Sequence, residues 1–225
     1  MVRSQNITDK QAYIRELYCK EEIDFTHVFQ TAEDKQSIQL SPEEGKLLSM
    51  LLSIHKAKYV LEIGTLVGYS CCWIATAIPE DGKVITIEVD KVRFEIAKQN
   101  FAKTKFNHKI TAVNADAIDY LKNLNIDHEL DAVFIDGKKE DYCTHLELVY
   151  PLLRKDGLII ADNTFLFDTV YNNTPSQYNT KRWKAMRKFN LEMSNIQKYK
   201  SLIFPTDEGL SVAIKRMYSK TNYLR

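Results

Sequence analysis

The stretch Tyr59-Val60-Leu61-Glu62-Ile63-Gly64-Thr65-Leu66-Val67-Gly68-Tyr69-Ser70 decides how the chain folds. Its first five residues form an apolar run suited to a parallel strand buried on both faces. Two glycines follow at Gly-x-x-x-Gly spacing, and a helical pattern then runs from Ser70 to Ile78. Strand, glycine turn and helix in that order predict a ligand at the strand's carboxyl end, where open α/β sheets bind them. Gly64 lets the backbone approach such a ligand closely. Ser70, beside the helix start, can hydrogen-bond a ligand carboxylate with help from the helix N-terminus. The spacing is not the Gly-x-Gly-x-x-Gly dinucleotide fingerprint. Taken alone, the two glycines serve equally well for helix–strand packing.

Beyond this turn the alternation repeats. Val84 to Val89, Ile110 to Val113, Ala132 to Ile135 and Leu158 to Ala161 read as further strands. Helical patterns cover Lys91 to Lys105, Asp116 to Leu124 and Asp141 to Leu153. Repeated strand–helix units predict a parallel sheet with helices on both faces. Two helical regions precede the first strand: roughly Asp9 to Ala32, and one opening at Ser41-Pro42-Glu43-Glu44 with Ser as N-cap and Pro at the first position. After Ala161, Asn163 to Asn179 reads as a long aromatic and polar loop, followed by a helix from Thr180 to Ser194. Lys198 to Phe204 and Leu210 to Lys215, joined by Pro205-Thr206-Asp207-Glu208-Gly209, predict an antiparallel hairpin closing the sheet. We expect one domain over 1–225, with a helical cap over 1–56 and the sheet core over 57–225.

The chain has 225 residues, 31 Lys and Arg against 30 Asp and Glu, and a net charge of +1. That balance gives no electrostatic case for a nucleic-acid or membrane-surface protein. Four scattered cysteines with no Cys-x-x-Cys pair read as reduced thiols, and the polar N-terminus lacks the apolar core of a signal peptide. The expectation is a cytoplasmic protein.

Acids end the later strands. Glu88 ends the second, where an acid commonly binds ribose hydroxyls. Asp116 follows the third, where it can reach an adenine or cap the next helix. Asp136 ends the fourth, and Asp162-Asn163 ends the fifth. Neighbouring strand ends lie roughly 5 Å apart, so Asp136, Asp162 and Asn163 can converge on a hard cation such as Mg²⁺. The alternative is that each acid caps a helix or pairs with Lys138 or Lys139. Lys139 is the natural base beside such a cation. A phenol ionises near pH 10 unaided, whereas a dication stabilises the oxyanion and favours a neutral amine nearby. The bland partners for Lys139 are Glu140 and Asp141.

Leu40-Ser41-Pro42-Glu43-Glu44-Gly45, Glu62-Ile63-Gly64-Thr65 through Gly68-Tyr69-Ser70, Thr86-Ile87-Glu88-Val89-Asp90, Phe134-Ile135-Asp136, Asp162-Asn163-Thr164 and Asp207-Glu208-Gly209-Leu210 occur in that order. Together they resemble the cation-dependent catechol and caffeoyl-CoA O-methyltransferase family over about Ser37 to Lys215. The resemblance implies a Rossmann-like, seven-stranded methyltransferase sheet, mostly parallel with an antiparallel C-terminal hairpin. It implies that Leu40, Glu62, Gly64, Thr65, Ser70, Glu88, Asp116 and Ala117 line the S-adenosylmethionine site, with Asp136 touching that site too. It implies that Asp136, Asp162 and Asn163 hold Mg²⁺ or a similar cation, that Lys139 is the base, that the acceptor is a vicinal-diol phenolic small molecule, and that the protein is a homodimer. Asp136-Gly137-Lys138-Lys139 departs from the usual Asp-Ala-Asp-Lys, which makes the local field more positive. The substrate-orienting acid of the mammalian catechol enzymes is absent, with Lys198 near its position. Two other readings stand beside this one. Some bacterial relatives are thought to methylate the wobble 5-hydroxyuridine of tRNA, for which Lys181-Arg182-Trp183-Lys184 and Arg187-Lys188 offer a basic cluster. The last is a non-catalytic nucleoside-cofactor-binding protein, or a dehydrogenase, against which the missing fingerprint counts.

Overall fold

Seven strands form one mixed sheet in the order β3-β2-β1-β4-β5-β7-β6, surrounded by helices. The computed structural model describes residues 8–19, 27–28, 39–175 and 180–216. The chain divides into two compact units, Met1–Tyr120 and Leu121–Arg225.

In the first unit, α1 (Asp9–Tyr18) opens with a Thr8–Gln11 capping box. Within the helical region expected over Asp9 to Ala32, α1 ends at Tyr18 and residues 27–28 are helical again, while residues 20–26 and 29–32 lie outside the described set. Helix α2 (Pro42–His55) starts as its sequence requires. The Ser41 hydroxyl accepts the Glu44 amide at 3.3 Å, Glu44 Oε2 accepts the Ser41 amide at 3.0 Å, and Pro42 gives up no needed donor. Strands β1 (Tyr59–Ile63), β2 (Lys83–Glu88) and β3 (Ile110–Asn114) are parallel, with Ile63 opposite Ile87 and Glu88 opposite Asn114. Helix α3 (Tyr69–Ala77) follows the glycine turn. Helix α4 (Lys91–Ala102) is capped by Asp90, whose Oδ1 accepts the amides of Val92 and Arg93. Leu61, Ile63, Ile74, Ile87 and Phe101 are buried as its core.

Helix α5 (Ala117–Asn123) leads to β4 (Leu130–Ile135), α6 (Tyr142–Val149) and β5 (Leu153–Ala161). The helix expected to reach Leu153 ends earlier, because Pro151 lacks the amide that would continue it and the chain closes in a 3₁₀ turn at Tyr150–Leu152. Strand β5 begins five residues before the apolar run. The pairing slips between Leu130–Leu153 and Ala132–Leu158, and Asp156 adopts φ 60° in the resulting bulge. Its polar Arg154-Lys155-Asp156 segment hides it from a hydrophobicity reading. Helix α7 (Thr180–Met193) precedes the hairpin β6 (Tyr199–Phe204) and β7 (Leu210–Lys215). Strand β7 pairs antiparallel with both β5 and β6, as expected. No helix among the described residues is long and apolar enough to cross a membrane.

Gly45 lies on α2 where it crosses α3, and a Cβ there would stand 2.3 Å from Trp73 Nε1. Alanine would gain about 1 kcal/mol of helix propensity. The clash outweighs that gain, since overpacking of this kind costs about 1–3 kcal/mol. Gly45→Ala is expected to lower the urea midpoint, and a raised midpoint would show that the indole gives way freely.

Candidate active site

The turn between β1 and α3 is organised around a carboxylate with no solvent exposure. Glu62, on β1, accepts the Ser70 hydroxyl at 2.6 Å on Oε1 and the Thr86 hydroxyl at 2.5 Å on Oε2. Thr86 in turn meets the Thr65 hydroxyl at 2.5 Å. Since Thr86 donates to Glu62, Thr65 must donate to Thr86, and the protons run one way into the carboxylate. Ser70 therefore commits its proton to Glu62. Thr86 has no role in the sequence reading, because only the register of β2 against β1 places it opposite Glu62.

Both glycines of the turn have φ 97°, a left-handed conformation that suits them. A Cβ on Gly68 would also strike the Phe101 ring at 2.4 Å, so packing accounts for that glycine. The intervening Leu66 is left-handed as well, at φ 52°. Its amide donates to Glu88 Oε2 at 2.8 Å, and the Asp90 amide donates to Oε1 at 2.9 Å. Glu88 thus grips the turn while keeping further lone pairs on each oxygen. Asn100 closes the turn from α4 by donating to the Val67 carbonyl at 2.8 Å. No side chain caps α3, which leaves its first-turn amides suited to an anionic group. Leu40 is buried just before α2. Asp116 realises its capping role, accepting the amides of Ile118 and Asp119, with Ala117 as the first residue of α5.

The second unit holds the later acids. Lys139 Nζ donates to Asp136 Oδ1 at 2.7 Å and to the Tyr142 hydroxyl at 2.5 Å, and that hydroxyl donates to the Asp162 carbonyl at 2.9 Å. The ion-pair alternative for Asp136 is thus realised. Glu140 and Asp141 are not the partners of Lys139: Glu140 pairs with Arg182, and Asp141 with the exposed Lys138. Asp162 is fully buried, and Asn163 follows it at φ 57°. The Asn163 amide nitrogen donates to Glu208 Oε2 at 3.2 Å. That bond fixes which end of the amide is nitrogen and turns its oxygen the other way. Among the described residues no three His, Cys, Asp or Glu side chains form a metal-binding group. A cation would therefore rest on two carboxylates and this amide oxygen, a hard donor set that fits Mg²⁺ with added waters.

The hairpin register corrects one expectation. Tyr199 pairs with Lys215 and Leu158 with Ile214, whereas Ala161 pairs with Ser211. Lys198 therefore lies at the end of the hairpin away from Asp162, bonded to Glu192 at 2.5 Å. The acid near Asn163 is Glu208, in a connection read as a turn and as part of the Asp207-Glu208-Gly209-Leu210 motif, with no role given to the acid itself. Gly209 makes that connection possible at φ 75°, with the Phe165 ring 2.6 Å from where a Cβ would be.

The loop after Asn163 is irregular but tightly held. Leu166, Phe167 and Asp168 adopt φ of 50°, 53° and 57° in succession, a left-handed run costly for residues with side chains. Helix α7 secures it through carbonyls. Asn190 donates to Thr164 O at 2.8 Å, Trp183 to Thr169 O at 3.0 Å, and Arg187 to Val170 O and Asn172 O at 3.1 Å each. Arg182, Trp183 and Arg187 of the basic cluster thus serve the fold. Phe165 and Tyr171 meet edge to face, and Tyr178 lies outside the described residues.

The chain belongs to the O-methyltransferase family, whose model matches residues 10–216. A catechol O-methyltransferase of Niastella koreensis is 32% identical over 190 residues, 79% of this chain and 82% of that one. A flavonoid 3',5'-methyltransferase of Vitis vinifera is 37% identical over 132 residues, 57% of this chain; the chain spans 56% of that relative's length. The solved O-methyltransferase of Bacillus cereus in complex with S-adenosylhomocysteine is 26% identical, with a TM-score of 0.86 over 93% of this chain and 98% of that one. The class is that of S-adenosylmethionine-dependent O-methyltransferases.

Two outcomes follow from this geometry. Arg187→Met keeps the stem but removes two charge-assisted bonds, together about 3 kcal/mol of local stabilisation. Amides of residues 164–172 should exchange at least tenfold faster with solvent; unchanged exchange would refute the clamp. Burial, and then the Glu62 charge, holds the Cys72 thiol up, from 9.0 to about 12. In the unfolded chain this thiol ionises from about pH 9. Above that pH the unfolded state releases a proton the native state keeps, so stability falls as pH rises from 9 toward 12 and is unaffected below. Urea midpoints from pH 8 to 10.5 should fall less steeply in Cys72→Ala than in the parent.

Proposed function

We propose that the protein transfers the methyl group of S-adenosylmethionine to one hydroxyl of a vicinal diol on a small phenolic acceptor, with the help of a divalent cation. One observation carries the cation: Glu208 takes the nitrogen end of the Asn163 amide, leaving its oxygen as the third hard donor with Asp136 and Asp162. The names of the Niastella and Vitis relatives support a catechol-like acceptor.

In this reading the first unit holds the donor. The uncapped first turn of α3 receives the methionyl carboxylate, and Gly64 and Thr65 let the backbone pass close to it. Glu62 holds Ser70 and Thr86 in place. Glu88 accepts ribose hydroxyls on its remaining lone pairs, Asp116 and Ala117 border the adenine, and Leu40 supplies an apolar wall. In the second unit Asp136, Asp162 and Asn163 would hold the cation, which would supply positive charge that favours ionisation of an acceptor hydroxyl. Lys139 takes the acceptor proton on Nζ. The oxygen bonds to the methyl carbon, the carbon–sulfur bond breaks, and its electron pair stays on sulfur as the neutral thioether. Holding both reactants converts a bimolecular step into an effectively unimolecular one.

Excess EDTA should abolish methylation of 3,4-dihydroxybenzoate, and Mg²⁺ should restore it. Asp162→Ala should lose at least a hundredfold in kcat while S-adenosylhomocysteine still binds by calorimetry. Full turnover in EDTA would refute the role of the cation.

A further inference from the structure

Tyr142 has no part in the reading above, yet it is a fully buried aromatic beside the acidic rim. Its relative exposure is 0%, and its ring packs edge to face on Phe189 at 5.1 Å between centroids. Its hydroxyl donates to the Asp162 carbonyl and receives Lys139 Nζ. A phenol has one proton to give. Because that proton goes to the carbonyl, Tyr142 meets Lys139 only as an acceptor. Lys139 Nζ therefore has two of its three outward tetrahedral directions assigned, one to Asp136 Oδ1 and one to Tyr142. The third points one way, whether it carries a proton or a lone pair.

We infer that Tyr142 is a positioning residue that fixes the direction in which Lys139 meets the acceptor hydroxyl. The inference rests on the reading of Lys139 as the proton acceptor. An amine on a four-carbon stem otherwise samples many rotamers, and an ion pair with Asp136 alone leaves it free to rotate about that contact. The second anchor removes this freedom. It also ties the amine to the backbone of Asp162, so the proton acceptor and an acid of the rim are held by one rigid ring. Which of two neighbouring hydroxyls loses its proton then depends on where the amine's third direction leads. Tyr142 thus bears on regiochemistry as well as on rate.

Tyr142→Phe keeps the ring and its packing and deletes only the oxygen. With 3,4-dihydroxybenzoate as acceptor, kcat is expected to fall about tenfold to a hundredfold, the range for a misplaced reacting group. KM for both substrates should hold within twofold, and the ratio of 3-O-methyl to 4-O-methyl product should move toward equality. A purely structural role would leave that ratio alone. Lys139→Met, assayed in parallel, separates the two claims. If it retains turnover, Lys139 is not the base and the inference falls with that reading. If it is inactive while Tyr142→Phe keeps the parental kcat and product ratio, the inference alone is overturned. Should Tyr142→Phe fail to fold, 4-aminophenylalanine at position 142 keeps a donor for the Asp162 carbonyl but offers Lys139 a far weaker acceptor. The same fall in kcat and the same shift in product ratio are then expected, and parental values would overturn the inference.

Discussion

A carboxylate removed from water must find hydrogen-bond donors, and in the first unit this demand shapes everything around the glycine turn. Glu62 sits on a strand with both faces buried, so its charge cannot reach solvent. Its donors come from three places: Ser70 on α3, Thr86 on β2 and, one step removed, Thr65 in the turn. Satisfying one charge therefore ties strand to strand and strand to helix. An unmet buried carboxylate is among the costliest defects a fold can carry. The turn is consequently held in one shape before any ligand arrives. Glu88 repeats the device from the next strand, gripping the Leu66 amide inside the turn.

The second unit meets a related demand differently. Asp136 and Asp162 lie at the ends of adjacent parallel strands, and the protein supplies the Lys139 amine to the first and a tyrosine hydroxyl to the carbonyl of the second. Glu208 then orients Asn163 from the hairpin connection. Lys139 reaches Asp136 and Tyr142 within one turn of chain, while Tyr142 to Asp162 and Glu208 to Asn163 join separate segments, so the rim's arrangement depends on the unit being folded. This is preorganisation in a concrete sense: the cost of arranging donors and acceptors is met during folding and not during turnover.

The order of elements was readable because strands buried on both faces leave apolar runs, and because Ser41-Pro42-Glu43-Glu44 spells out a helix start. The glycine turn and the acids at the strand ends were readable for a related reason: their positions follow from where a strand stops. What escaped was everything set by register. Thr86 and Glu208 matter because of what lies opposite them, and no local pattern reveals a partner two dozen or forty-five residues away. The resemblance sets Lys198 near the position of the substrate-orienting acid, while the antiparallel pairing of β6 and β7 carries it to the other end of the hairpin. The first half of β5 was missed because a bulge lets polar residues interrupt a strand. Within the basic cluster on α7, Trp183 and Arg187 hold the carbonyls of Thr169, Val170 and Asn172, a role that charge alone does not reveal.

The way α7 holds the loop after Asn163 has a consequence for how such a protein changes over time. Its side chains grasp main-chain carbonyls, which every residue possesses. The loop's outline is thus insured by atoms that substitution does not alter. An exposed side chain such as Tyr171 can be exchanged without dissolving the contour, whereas Thr164, Leu166 and Val170 are buried in it. The scaffold separates the inheritance of shape from the inheritance of surface chemistry, and a lineage built on it can revise what the loop presents while keeping how it is presented.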